Sequence, residues 1–479
     1  MASRFWVGGS GTWDGTSTSN WSATSGGAPG ASAPTTADVV FFDSASGTAA
    51  TVSVAATASC VTCTVNKSDI ILSLTGSPTF TSVLTLTSGM IALNSYTFTV
   101  AIFSSNNTNA RAVDFGTGKF VITANNNTIW QVTDLTGMTI SGTPVTEFTY
   151  SGGTGTRSIR HGFTGGIETK SLSINVTGGS DIFDFYGAFR NVSFTTFLGT
   201  IPNNARTIYG NLTLSAGMTF SGSLTTTFGS TSSQAINTNG VTLDIPVIFN
   251  GVGGTFTFQG NTAFGSTRSL TLTNGTLNAG TWNISIGSFA LGSGTKTLTI
   301  GSGTWTVAAA NWNANTNVAN LTVSPSAGVI SMTSASAKTF SGGGLSWPTL
   351  RQGGAGALTI QQSNSFANIT NSVQPATITL TAGTTQTVAA FGVSGTAGNL
   401  ITLNSSTAGT RATLSDSVGT VEVSNVSIKD INATGGATWN AFLKSGNVDA
   451  GNNSGWDFFQ SVGQVFSQVF NSIFRPVFQ

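Results

Sequence analysis

Along most of the chain, apolar residues alternate with Thr or Ser in short runs, and Gly or Asn-Gly interrupts each run. In Ser269-Leu-Thr-Leu-Thr-Asn-Gly-Thr-Leu-Asn-Ala-Gly-Thr-Trp-Asn-Ile-Ser-Ile-Gly-Ser-Phe289, Leu270 and Leu272, then Ile284 and Ile286, alternate with polar partners. That is the two-residue period of a strand with one face buried. The Asn274-Gly275 pair supplies the positive φ of a tight turn. Between residues 40 and 455 no apolar stripe recurs at helical spacing, so the pattern predicts an all-β protein.

A longer repeat is superimposed on this alternation. Leu86-Thr-Ser-Gly-Met90 is echoed by Leu272-Thr-Asn-Gly-Thr276, and Phe115-Gly-Thr-Gly-Lys-Phe-Val121 by Ile300-Gly-Ser-Gly-Thr-Trp-Thr306, at nearly the same offset. A repeating strand-turn-strand unit predicts a parallel β-helix, or β-solenoid, in which each coil buries its apolar face on the next. Tandem β-sandwich or jelly-roll domains are the competing architecture. A solenoid also suits a chain with few charges. Its internal strands are paired on both sides, so Thr, Ser and Asn can line up on the outer face without Lys or Glu to guard open edges.

Both ends depart from the pattern. Trp6, Trp13 and Trp21 punctuate an N-terminal stretch of small residues and predict a compact cap, with a carbohydrate-stacking platform as the alternative. After Trp456 the period changes. Val462, Val465, Phe466, Val469, Phe470, Ile473 and Phe474 recur at i, i+3, i+4 and i+7, which predicts a short amphipathic helix ending near Arg475-Pro476. Its apolar stripe reads as an interface for self-association or docking, with a cap on the final coil as the plainer alternative. The resulting division is a Trp-rich capping module over 1–45, a first solenoid region over 46–205, a second over 206–455, and the helix over 456–479.

Composition narrows the function classes. Charged residues are 7% of the 479, with 17 Lys and Arg against 16 Asp and Glu. A nucleic-acid binder needs clustered basic residues, and these are too few. The 32 Phe and 10 Trp supply core material that a disordered chain lacks. No apolar run is long enough to span a membrane, and the first residues have no secretory h-region. Cys60 and Cys63 have CxxC spacing, but zinc normally takes four ligands and His161 is the one histidine. They read as two buried thiols or a loop-closing pair, and no cofactor or metal is expected. Asp449-Ala-Gly-Asn-Asn-Ser-Gly455 reads as a turn bonded by its own side chains, since it lacks the spacing of a calcium loop.

One charge-dense patch remains, with Arg157, Arg160, His161, Glu168, Lys170, Asp181, Asp184, Tyr186 and Arg190. Glycoside hydrolysis needs two carboxylates about 5–9.5 Å apart, and Asp181, Asp184 and Glu168 are the candidates. The alternative is a surface loop held by ion pairs. No Asp or Glu occurs between Asp244 and Asp416, so that stretch offers no acid and base of its own.

Arg4-Phe-Trp-Val-Gly-Gly-Ser-Gly-Thr-Trp-Asp14, Asn20-Trp-Ser22 and Ala37-Asp-Val-Val-Phe-Phe-Asp43 resemble the start of Gly/Thr/Ser-rich β-repeat appendage proteins of tailed bacteriophages. Gly210-Asn-Leu-Thr-Leu-Ser-Ala-Gly-Met218, Asn239-Gly-Val-Thr-Leu-Asp-Ile-Pro246, Phe249-Asn-Gly-Val-Gly-Gly-Thr-Phe256, Asn432-Ala-Thr-Gly-Gly-Ala-Thr-Trp-Asn440 and Gly446-Asn-Val-Asp-Ala-Gly-Asn-Asn-Ser-Gly-Trp456 are similar to the same set. The resemblance implies a non-enzymatic fibre, spike or capsid-decoration subunit located in the virion. It also implies a trimeric homo-oligomer. Other virion proteins are the partners expected through the C-terminal apolar stripe, and host-surface glycans are a further expected partner. Composition argues against nucleic acid and membrane insertion. A secreted adhesin and a polysaccharide-depolymerising tailspike are the alternatives.

Overall fold

The structure, a computed structural model, describes residues 1–309, 311–324 and 326–459. The chain is all-β, with 52% of residues in strands and 1% helical, and the strands wind into a parallel β-solenoid of about 19 turns. The two short 3-10 turns are Glu168–Lys170 and Val318–Asn320. Contacts divide the chain into two compact units, Met1–Thr262 and Ala263–Gln479.

In the first unit, the opening strand Ser3–Trp6 pairs antiparallel with Trp21–Ser22 and parallel with Val39–Phe42. The coils then stack in parallel register. Val40 lies beside Cys63, Cys63 beside Leu84, and Leu84 beside Phe103. Burial alternates as the sequence predicts. In Thr97–Ser104, Phe98 and Val100 point inward while Thr97 and Thr99 are half-exposed. Aromatic contacts run up the coil interior from the cap. Trp6 meets Trp21 edge-on at 5.0 Å, Trp13 reaches Phe80 at 5.0 Å, Phe80 meets Phe98 at 4.8 Å, and Phe103 meets Trp130 at 4.6 Å. Each such ring removes a large apolar area from water, and the edge-on pairs Trp6–Trp21 and Phe80–Phe98 add the edge-to-face attraction of aromatic rings.

The second unit repeats the design. Leu270 pairs with Phe289, Phe289 with Trp312, Trp312 with Phe340, and Phe340 with Ile360. Phe289 and Trp312 stack at 4.2 Å with planes 19° apart. Polar groups bond from rung to rung, as half-exposed Thr379 Oγ1 does to Asn404 Oδ1 at 2.8 Å and buried Ser341 Oγ to Gln361 Oε1 at 2.6 Å.

The repeated Leu-Thr-x-Gly motif has a different role from the one its sequence suggests. Asn274-Gly275 does not close a hairpin. It lies within one strand, Ser269–Asn278, whose first half pairs with Ser288–Leu291 and second half with Lys296–Thr299. Gly275, at φ +83°, bends the strand from one face of the coil to the next. Gly89, at φ +94°, does the same inside Thr79–Ala92, whose two halves pair with Thr97–Ser104 and Arg111–Asp114. A positive φ turns a corner as readily as it reverses a chain, and the local sequence does not distinguish the two.

Candidate functional site: the charged patch and its aromatic groove

The residues from Arg157 to Arg206 lie in stacked rungs of the first unit. Strand Thr156–Thr164 pairs with Ile182–Phe194, which pairs in turn with Arg206–Ile208. The patch is therefore part of the coil wall, and its central pair is inside it. The side chains of Arg157 and Asp181 have no exposed surface. Arg157 grips Asp181 with two bonds, Nε to Oδ2 and Nη2 to Oδ1, both at 2.8 Å, and donates from Nη2 to the Gly178 carbonyl. Its guanidinium also lies 5.1 Å from the Phe183 ring and 5.4 Å from Tyr150. A bidentate, fully desolvated pair is the geometry in which an arginine-carboxylate contact is strongest. For Arg157 and Asp181 the expectation of a surface loop held by ion pairs is corrected, because the two come from adjacent rungs and are fully enclosed, whereas Glu168 and Lys170 do lie on a 3-10 turn outside the strands.

Asp181 and Asp184 do not converge on a shared site. Asp184 accepts from Arg160 Nη2 at 2.6 Å and from the Asn204 amide. Glu168 accepts from Thr231 Oγ1 at 2.8 Å, Thr231 N at 3.2 Å and Ser230 Oγ at 3.3 Å. Each of the three carboxylates named from the sequence is engaged with its own fixed partners.

His161 is fully buried. Its Nδ1 accepts the Trp130 indole N–H at 3.3 Å, so Nε2 carries the proton and donates to the Lys170 carbonyl at 2.9 Å. Burial pulls its pKa down to about 4, against a smaller opposing effect of the Lys170 carbonyl. Arg206 is likewise enclosed, 4.3 Å from the Phe185 ring and 5.0 Å from Phe220, and donates to the Pro202 carbonyl. Burial lowers its pKa to about 9, with the Asp184 carboxylate working the other way.

Beside the patch, beyond the end of strand Thr156–Thr164, residues 165–171 leave the coil and carry the 3-10 turn Glu168–Lys170. Next to this segment the coil surface carries an open groove of about 360 Å³ lined by Phe163, Tyr186, Tyr209, Thr207, Thr225 and Thr227. Its floor is kept low by Gly187, Ala188 and Ala205. Gly187 is required, since its φ is +120° and a Cβ there would lie 1.9 Å from the His161 carbonyl oxygen. Of the groove residues the sequence reading singled out Tyr186 alone. The chain has four tyrosines, and two of them, Tyr186 and Tyr209, line this groove. That rarity was the available signal.

The remaining sequence-derived sites resolve as follows. Trp6, Trp13 and Trp21 are fully buried against one another, Phe42 and Phe80, so none presents a ring face to a sugar. Cys60 and Cys63 are free and buried, and burial with the neighbouring thiol raises the Cys60 pKa. Asp449 accepts from Gly451 N at 3.0 Å and from Asn453 Nδ2 at 2.7 Å, the self-bonded turn expected there. The interface positions Val462, Val465, Phe466, Val469, Phe470, Ile473 and Phe474 lie outside the described residues. Among the described residues no group of His, Cys, Asp and Glu is arranged to hold a metal ion, and no helix is long and apolar enough to cross a membrane.

No family model, curated protein or solved structure matches the chain.

Proposed function

We propose that the chain is a structural, non-enzymatic subunit of a tailed-phage particle, a fibre, spike or capsid-decoration protein that works through its surfaces. The observation that carries this reading is the condition of the charged patch. Asp181, Asp184 and Glu168 are the carboxylates singled out for hydrolysis, and each is held by its own arginine, amide or hydroxyl partners. A general acid needs a raised pKa and an open approach to the glycosidic oxygen. Asp181, locked to Arg157 without exposed surface, has no such approach.

The stack supports the same reading, since its Thr, Ser and Asn groups bond from rung to rung. The phage context comes from the resemblance of the N-terminal, middle and C-terminal motifs. Homotrimer formation, attachment to other virion proteins through the 462–474 stripe, contact with host glycans and a place in the virion belong to the same proposal.

The test is the full chain carrying Phe466→Asp and Phe470→Asp, compared with wild type by light scattering and by incorporation into particles. Burial of such rings contributes roughly 1.5–3 kcal/mol each, so the double variant is expected to lose its oligomeric state and its place in the particle while keeping its β circular dichroism. Unchanged mass and incorporation would overturn the assembly role. Release of reducing ends from host polysaccharide, lost with Asp184→Asn or Glu168→Gln, would favour a depolymerase instead.

A further inference from the structure

We propose that the open groove lined by Phe163, Tyr186, Thr207, Tyr209 and Thr227, beside the 165–171 segment, binds a neutral oligosaccharide. This names the kind of partner for the surface role proposed above, and the test below has no assembly readout, so either can fail without the other.

The lining is aromatic and hydroxylic. Phe163, 43% exposed, lies with its ring centroid 3.9 Å from that of Tyr186. Tyr209 sits half-buried at the other side, its ring and the Thr207 methyl packed over Gly229, where a Cβ would come within 3.1 Å of the ring. Thr207 and Thr227 are rung partners, and each stands between two buried residues, so both present their side chains outward. A pyranose offers matching chemistry, an apolar C–H face for an aromatic ring and equatorial hydroxyls for side-chain oxygens.

Charge selects against other ligands. The one charged residue lining the groove is Arg206, and its guanidinium is turned into the coil over Phe185 and Phe220. A phosphate, sulfate or sialate would meet no free cation there. An extended peptide would need unpaired backbone to add to, and these rungs are paired on both sides. The volume of about 360 Å³ lies within the range of small-molecule clefts, about 300–1,000 Å³.

The groove is also fixed before any ligand arrives. Glu168 ties the adjoining 165–171 segment to Ser230 and Thr231 on one side, and Lys170 Nζ ties it to the Leu135 carbonyl at 3.0 Å on the other. His161 holds the Lys170 carbonyl. A wall anchored at three points loses little conformational freedom on binding, which favours affinity from a small contact area.

The experiment applies the full chain to an array of neutral hexose and N-acetylhexosamine oligosaccharides printed beside sialylated and sulfated counterparts, then titrates the best ligand by calorimetry. Tyr186→Ala is expected to weaken binding by roughly tenfold or more, and Thr207→Val by about threefold. Circular dichroism should be unchanged in both. Phe163→Ala, at an exposed position, serves if Tyr186→Ala fails to fold. Absence of any neutral ligand, retention of anionic glycans alone, or equal binding by the variants would overturn the proposal.

Discussion

Between Arg157 and Arg206 the first unit encloses five ionisable groups, Arg157, His161, Asp181, Asp184 and Arg206, which face opposite charges or aromatic rings, whereas the second unit encloses Lys296 and Lys338 in a stretch of sequence without a single carboxylate. Arg157 is neutralised by Asp181 through two bonds. Lys338 instead donates to the carbonyls of Ser334, Gly354 and Gly356, and Lys296 to that of Gly294. Arg111, in the first unit, shows that carbonyl caging is not confined to lysine. Its guanidinium donates to the carbonyls of Ser105, Asn109, Thr136 and Asp134 and to the Ser105 hydroxyl. The comparison teaches that a coil corner, where successive carbonyls turn inward, can satisfy a cation without a counter-ion. Such a cage leaves the charge itself uncompensated, so burial lowers the pKa of both lysines, that of Lys338 to about 8.

Buried His161 and buried Lys338 should respond to pH in the same direction, each losing stability as pH falls, but in different windows. His161 has its pKa lowered by burial from 6.5 to about 4, so the unfolded chain binds a proton that the folded chain refuses between those values. Stability of the first unit should fall as pH drops through that window, by on the order of 3 kcal/mol. His161→Gln should flatten the acid slope in urea-unfolding curves. An equally steep slope in the variant would place the acid sensitivity elsewhere.

Lys338 gives the alkaline effect. Its folded pKa lies below the ordinary 10.5, so between about pH 8 and 10.5 the unfolded chain holds the extra proton and stability should rise with pH. Lys338→Met should remove that rise. At neutral pH it should change stability by no more than about 1–3 kcal/mol, because release of a buried charge offsets the carbonyls left unpaired. Hydrogen exchange resolved over residues 329–361 would show whether the change is local to those rungs.

Smallest of all should be the part-exposed pair of Lys119 and Glu147 on neighbouring rungs. Lys119→Met is expected to alter stability by less than about 1 kcal/mol, since water and salt screen such pairs. A larger loss would mean that outward-facing charges help fix the register of the coils, which the comparison assigns to buried groups alone.

Much of the architecture was legible in the sequence for a simple reason. Alternation such as Leu270-Thr-Leu272 reports which face is buried, and the scarcity of Lys and Glu reports strands without open edges. The corners were misread because Gly89 and Gly275 need a positive φ whether the chain reverses or merely bends. What selects the bend is the parallel rung beneath, far away in sequence. The charged patch was legible as a cluster but not as an interior. Arg157 and Asp181 meet because strand Thr156–Thr164 stacks on Ile182–Phe194, and no local pattern encodes that register. The groove was hidden for the same reason, as Phe163, Tyr186, Thr207 and Thr227 come from four successive passes of the chain.

The central claim is that the carboxylates of the patch hold coils together and do not perform chemistry. Urea unfolding of wild type, Asp181→Asn, Arg157→Met and the Arg157→Met/Asp181→Leu double variant tests it most directly. Each single change should lower stability by about 3–5 kcal/mol, because it strands a buried charge, and the double variant should recover most of that loss. An Asp181→Asn chain as stable as wild type would contradict the account, since a carboxylate buried at no benefit to folding would have to be kept for something else.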